Sequence, residues 1–234
     1  MNIVANLFSS SLGRKYVMAI SGAALFLFVV GHLLGNLQIF LGPDQINAYG
    51  NFLQTTPEIL WPARIGLLAS VALHIWSAVT LAKENKAARP VPYATWDSTA
   101  ASYASRTMLM SGLIIGGFVI YHLLHFTVQA KPINFTGQDF VAFHDAKGRH
   151  DVYRMMITGF SYPLVSGFYV LATALLCLHL SHGTSAMFQS VGWKNQVYGP
   201  LIDRFAKITA WVIFLGYSSI PVAVLLGFGK EAFK

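Results

Sequence analysis

Five stretches of this chain hold apolar residues almost without a break, and each has the roughly 20 residues that an α-helix needs to cross a bilayer's hydrocarbon core. They run Lys15–Phe40, Leu60–Leu81, Thr107–Val128, Tyr162–Met187 and Phe205–Phe228. Turn chemistry separates them: Gly42-Pro43-Asp44, Pro90-Val91-Pro92, Lys131-Pro132 and Gly199-Pro200. The polar stretch Asn134–Asp151 has room for a short surface element. No internal repeat, low-complexity segment or second domain interrupts the pattern. Residues 1–234 therefore read as one all-α domain, an integral membrane bundle of five transmembrane helices.

Composition supports the bilayer. Of 234 residues, 55% are hydrophobic and 11% charged, less than half the charged fraction of about 25% usual in soluble domains. The net charge of +7 is no pointer to nucleic acid, because the sixteen Lys and Arg fall in loops and at span ends. Arg14 and Lys15 precede a run long enough to span, which reads as an anchor and not a cleaved leader. The single Cys177 excludes a disulfide framework or a cysteine-ligated cluster. With the N-terminus inside, Lys and Arg divide nine inside to seven outside, and none occurs between Gly42 and Ala63 in the first outer loop. That predicts N-terminus in and C-terminus out. All nine Asp and Glu lie outside the apolar runs, unlike an ion-coupled transporter, which usually keeps a carboxylate in the membrane.

Histidines do enter the membrane. His32, His74, His122 and His179 each sit deep in a different run, where an imidazole needs a compensating partner. Depth follows from a rise of about 1.5 Å per residue and the alternating direction of the spans. His32 and His122 then fall in the outer half, His74 and His179 in the inner half, about 10–15 Å apart along the normal. Two layers of paired imidazoles on facing helices predict two bis-histidine metal centres, and in a membrane bundle that means haem. Gly31 and Gly35 flank His32 and would let a porphyrin approach the backbone. Gly31–Gly35 and Gly112–Gly116 also fit ordinary small-residue helix packing. His125 and His182 each follow a proposed ligand by three residues, on the same helical face. On spacing alone either could replace its neighbour, bind a propionate or a quinone, or bond a backbone carbonyl. His144 and His150, in the polar outer loop, read as solvated.

Several segments resemble a known family: Gly31-His32-Leu33-Leu34-Gly35-Asn36, Leu73-His74-Ile75-Trp76 and Tyr121-His122. The most specific are Asp151-Val152-Tyr153 through Gly159-Phe160-Ser161, then Leu178-His179-Leu180-Ser181-His182-Gly183 and Met187-Phe188-Gln189. In order and spacing they resemble the single-chain, five-helix, di-haem cytochrome b subunit of succinate dehydrogenases and fumarate reductases, from about Ser11 to Phe228. The resemblance implies two haem b groups. His32 and His122 would ligate the distal one, and His74 and His179 the proximal one. It favours His122 over His125 and His179 over His182, leaving His182 as a second cofactor contact. It further implies a multi-pass location in the bacterial inner membrane, and flavoprotein and iron–sulfur partner subunits on the cytoplasmic face. Electrons would pass to a quinone, menaquinone or ubiquinone, near the outer surface. The inner basic residues would serve docking and propionate pairing, and the whole complex could form a higher oligomer. Such a subunit carries the quinone half-reaction and does not itself oxidise succinate.

Two departures bear on function. Some fumarate-reducing relatives carry a glutamate two residues before the fourth-span ligand, where this chain has Cys177; that points toward succinate oxidation. The quinone pocket has no firm motif. Glu58, beside Trp61 and Arg64 at the outer end of the second span, is the available carboxylate for quinone protons, or else a solvated loop acid. Two other functions fit five spans. One is a di-haem subunit serving another membrane dehydrogenase, and the other is a non-haem transporter or structural anchor whose histidines brace the bundle.

Overall fold

The computed structural model describes residues 3–88 and 102–230. The Pro90-Val91-Pro92 turn and the charges of Arg89, Asp97, Glu231 and Lys234 lie outside the described residues. Among the described residues the chain is all α, in nine helices: α1 (Ile3–Ser9), α2 (Ser11–Leu37), α3 (Pro43–Thr55), α4 (Pro57–Ala87), α5 (Tyr103–Arg106), α6 (Met108–His122), α7 (Val152–Phe160), α8 (Pro163–Ser190) and α9 (Gly199–Leu225). Five helical segments are long and apolar enough to cross a bilayer: Ser11–Leu41, Pro57–Ala87, Met108–Thr127, Pro163–Ser190 and Gly199–Leu225. The protein is a multi-pass membrane protein.

Each of the five spanning helices exposes an apolar stripe repeating every seven residues, two helical turns. The stripes are Ile20, Leu27 and Leu34 on α2; Trp61, Leu68 and Ile75 on α4; Leu113 and Ile120 on α6. On α8 and α9 they are Leu164, Leu171 and Leu178, and Leu201, Ile208, Leu215 and Val222. Exposed apolar area on this scale has no place in water and marks the lipid-facing side.

Most of these helices outrun the apolar stretches that announced them. α4 begins at Pro57 and ends at Ala87, so Glu58 and Glu84 lie inside a helix, and Asp203 lies in the first turns of α9. Helices do not end where hydrocarbon ends, and polar end turns continue into the interface. Gly42-Pro43-Asp44 and Gly199-Pro200 are helix starts, not loops. Pro43 opens α3 and Pro200 stands second in α9, because a proline lacks only an N–H that the first turn leaves unbonded anyway. The third span stops as an α-helix at His122 and continues as a π turn over Leu123–Thr127, with Val128 N–H donating to Leu123 O at 2.7 Å. Lys131–Ile133 and Phe140–Ala142 are short 3-10 turns.

The chain groups into two compact units, each assembled from separated segments. Among the described residues, unit 1 comprises residues 3–28, 63–88, 102–112 and 178–210, and unit 2 residues 29–62, 113–177 and 211–230. In unit 1, Arg14 on α2 forms an ion pair with Glu84 of α4 and also donates to Phe8 O at 2.9 Å. Lys194 and Ser185 both meet Asp203 Oδ1, at 2.7 and 2.5 Å. In unit 2, α3 and α7 close over a buried cluster of Ile39, Ile46, Tyr153, Met156, Ile157, Phe160, Val165, Tyr169, Ile220 and Val224. Asp151 caps α7 by accepting from Arg154 N–H at 2.9 Å. The buried Asn47 of α3 accepts from Tyr153 N–H at 2.9 Å and donates to Asp151 at 3.0 Å, tying α3 to the start of α7. The two helices pass so closely that a Cβ on Gly50 would meet Val152 Cγ2 at 2.8 Å.

The polar loop in front of α7 is held by charge. Arg149 Nη2 lies 2.7 Å from both Asp145 and Asp44, and Lys147 Nζ 2.6 Å from Asp44. Desolvation works to raise the Asp145 pKa. The side-chain and backbone hydrogen bonds from Arg149, with the backbone N–H of Lys147, outweigh it and hold the carboxyl down at about 2. His144 and His150 pair across an isolated antiparallel bridge. His144 is exposed as its sequence context predicts, whereas His150 is half-buried and reaches Gln129 Nε2 at 3.0 Å. Burial lowers the His150 pKa below its ordinary 6.5.

Candidate functional site

The four span histidines come together two by two, in the pairing that their depths predict. In unit 2 the His32 and His122 ring centres are 5.7 Å apart with their planes at 83°. In unit 1 the His74 and His179 ring centres are 6.4 Å apart at 64°. Two imidazoles trans across one metal ion, at about 2 Å per metal–nitrogen bond, would stand about 6 Å apart centre to centre. Edge-to-face packing of neutral rings gives the same separation, so distance alone does not discriminate.

The Nδ1 partners bear on the protonation state of each ring. His74 Nδ1 lies 3.2 Å from Met18 O, which can only accept, so Nδ1 carries the proton. Ser21 Oγ lies 3.4 Å from the same nitrogen while donating its own proton to Val17 O at 2.7 Å. His179 Nδ1 lies 3.3 Å from Ser111 Oγ; when that hydroxyl donates to Met108 O at 3.1 Å, its oxygen is left to accept from Nδ1. His74 therefore presents an Nε2 lone pair, and His179 does so when Ser111 donates to Met108 O; that is the protonation state a metal ligand needs. In both cases a glycine follows the serine. A Cβ on Gly22 would come within 3.2 Å of His74 Cε1, and one on Gly112 within 3.4 Å of His179 Cε1. Ser-Gly on α2 and Ser-Gly on α6 thus seat the two rings in the same way. Ser-Gly occurs a third time at Ser166-Gly167, where a Cβ on Gly167 would meet nothing within 4 Å, so the dipeptide alone does not mark a ring seat.

The π turn separates the surroundings of His122 and His125. An α-helix would put residue 125 on the face of residue 122. The wider turn rotates it away, into a fully buried position against Phe126, Phe140 and Tyr169. His122 meets His32, and His125 stands behind Tyr169. His182 lies one turn beyond His179, half-buried, within electrostatic reach of Lys194 and Asp203. Of the glycines beside His32, a Cβ on Gly31 would meet no atom within 4 Å, whereas one on Gly35 would meet the Tyr49 ring at 2.8 Å. Gly35 makes room for a protein side chain, and only Gly31 leaves space open.

Glu58, Trp61 and Arg64 lie at three-residue spacing along the start of α4, all exposed. A cleft of about 420 Å³ in unit 1 is lined by Phe188, Trp193, Tyr198 and Ile202 and includes none of the three. Arg14 and Lys194 are engaged within the chain. Lys15, Lys83, Lys86, Arg106, Arg204 and Lys207 are exposed at helix ends of unit 1. Among the described residues no group of three or more His, Cys, Asp or Glu could hold a metal ion. A metal here would need further donors of its own, as a porphyrin supplies. No protein-family model matches the chain, and no curated protein or solved structure matches it.

Proposed function

We propose that the chain is the membrane-anchor cytochrome b subunit of a succinate:quinone oxidoreductase, with haem b held between His74 and His179 and between His32 and His122. The observation that carries this reading is the facing pair His74 and His179 in unit 1, ring centres 6.4 Å apart, with His74 Nδ1 donating to Met18 O and His179 Nδ1 beside Ser111 Oγ. The chemistry supplied at such a site is one-electron transfer between ferric and ferrous iron. The protein's part is orientation. Met18 O, Ser21 and Ser111 fix the ring tautomers, and Gly22 and Gly112 admit the rings against the backbone. The low-dielectric surroundings tune the iron.

Six exposed basic residues of unit 1, Lys15, Lys83, Lys86, Arg106, Arg204 and Lys207, suit a partner with an acidic face, which in this reading is the iron–sulfur subunit with its flavoprotein on the cytoplasmic side of a bacterial inner membrane. Quinone, menaquinone or ubiquinone, would then meet the far end of the chain, where Glu58, Trp61 and Arg64 are the candidate contacts. Cys177, buried on α8, takes the position of the proton-carrying glutamate of some fumarate-reducing relatives, which favours succinate oxidation.

A reduced-minus-oxidised spectrum of the purified full chain, with a pyridine haemochrome count, tests the proposal. Two haems b per chain are expected. One haem or none would overturn the reading, and none would leave a structural anchor or transporter. Co-purification with a flavoprotein and an iron–sulfur protein separates succinate dehydrogenase from another membrane dehydrogenase.

A further inference from the structure

Behind His122 the structure holds an arrangement that the ligand reading does not use. Tyr169 on α8 places its hydroxyl 3.3 Å from His122 Nδ1 and 3.0 Å from His125 Nδ1. One phenolic proton stands between two ring nitrogens, so it can be donated to only one of them, and the other ring must donate to the oxygen. His125 Nε2 is buried and has no hydrogen-bond partner among the described residues. The α7 backbone walls it in, since a Cβ on Gly159 would come within 3.1 Å of it. A neutral His125 that accepts at Nδ1 carries its proton on Nε2, with no acceptor there among the described residues.

We infer that Tyr169 and His125 are positioning residues that form a proton-ordered relay setting the donor strength of His122. The inference rests on the proposed haem ligation by His122. A metal on His122 Nε2 requires the proton on Nδ1, so His122 donates to the Tyr169 oxygen and Tyr169 donates to His125 Nδ1. Hydrogen bonds in such a chain polarise one another. With its own proton drawn toward His125, the Tyr169 oxygen becomes the better acceptor and pulls harder on the His122 N–H. That gives His122 more anionic character and favours the oxidised iron. His125 thus acts on a haem that it does not ligate, through one hydroxyl. The unit 1 pair has no counterpart, because Ser21 and Ser111 pass their protons to backbone carbonyls.

The test is a redox titration of the full chain in its membrane complex, following both haems by absorbance, with haem content counted for every variant. His125→Leu removes the relay's acceptor. It should keep two haems and lower the oxidised-to-reduced ratio of the outer haem about three- to tenfold at fixed potential, the worth of one hydrogen bond. Tyr169→Phe should shift the same haem at least as far, and the inner haem should not move in either variant. His125→Asn places Oδ1 where Nδ1 stood and should bring the outer haem back toward the unaltered value; a packing role for His125 would not predict that rescue. Two bound haems with an unmoved outer potential in His125→Leu and Tyr169→Phe would overturn the relay alone. An equal shift of both haems, or no rescue by asparagine, would overturn it as well. A chain without haem would remove the ligation reading along with it.

Discussion

Ser111→Ala and Ser21→Ala look like the same substitution at two equivalent serines, yet the structure makes their consequences unequal. Ser111 Oγ is the acceptor given to His179 Nδ1, at 3.3 Å. Removing it strands an N–H in a half-buried, apolar setting at a cost of about 1–3 kcal/mol, and frees the ring to move its proton to Nε2, where it would block a metal bond. Second-sphere losses of this kind typically weaken metal affinity about 10- to 100-fold. His74 Nδ1 keeps Met18 O at 3.2 Å when Ser21 is lost. Only a longer contact of 3.4 Å disappears, worth at most about 1 kcal/mol, or fivefold. The assay is haem transfer from the detergent-solubilised complex to excess apomyoglobin, read as the rate of loss of the inner haem. Ser111→Ala should release it more than tenfold faster than the unaltered protein and Ser21→Ala less than fivefold faster. Equal effects, or a larger effect from Ser21→Ala, would refute the tautomer argument.

Replacing His74 or His179 with alanine should remove one haem and leave the His32–His122 pair loaded, read by haemochrome stoichiometry. Losing both haems would show that the two sites do not form independently. His122→Ala should cost the outer haem where His125→Leu does not. At Gly216 a Cβ would meet Leu33 Cδ2 at 2.9 Å, so Gly216→Ala should overpack that contact by about 1–3 kcal/mol, seen as a lower thermal midpoint in detergent. The polar loop in front of α7 should loosen in mild acid. His150 has a folded pKa below its ordinary 6.5, so the opened loop binds a proton that the closed loop refuses, and loop stability falls as the pH drops below 6.5. Hydrogen exchange over residues 139–155, corrected for intrinsic rates, should rise between pH 7 and 5, and His150→Gln should flatten that rise. The Asp145 contribution persists through this range and is lost only as the pH falls through about 2.

The difference between what was legible and what was not follows the kind of information each residue carries. Span number, span centres and the two-by-two sorting of the histidines depend on hydrocarbon length and helical rise, both local and additive along the chain. α3 and α7 were hidden because each is short and draws its stability from the other, through Asn47, Gly50 and the buried cluster. The same dependence hid the start of α9, where a Gly-Pro pair reads equally well as a turn or as a first helical turn.

Sequence alone determined that this chain lives in a bilayer and that four imidazoles must be accommodated there, since burial without compensation is too costly at any packing. Tertiary structure decided which imidazole faces which and what stands beside each Nδ1. It also decided that a π turn carries His125 off the face of His122 and behind Tyr169. Those outcomes hang on contacts between residues far apart in the sequence, such as His74 with His179, Ser111 with His179 and Tyr169 with His122. No local pattern encodes them, because a hydrogen-bond acceptor acts only where the fold delivers it.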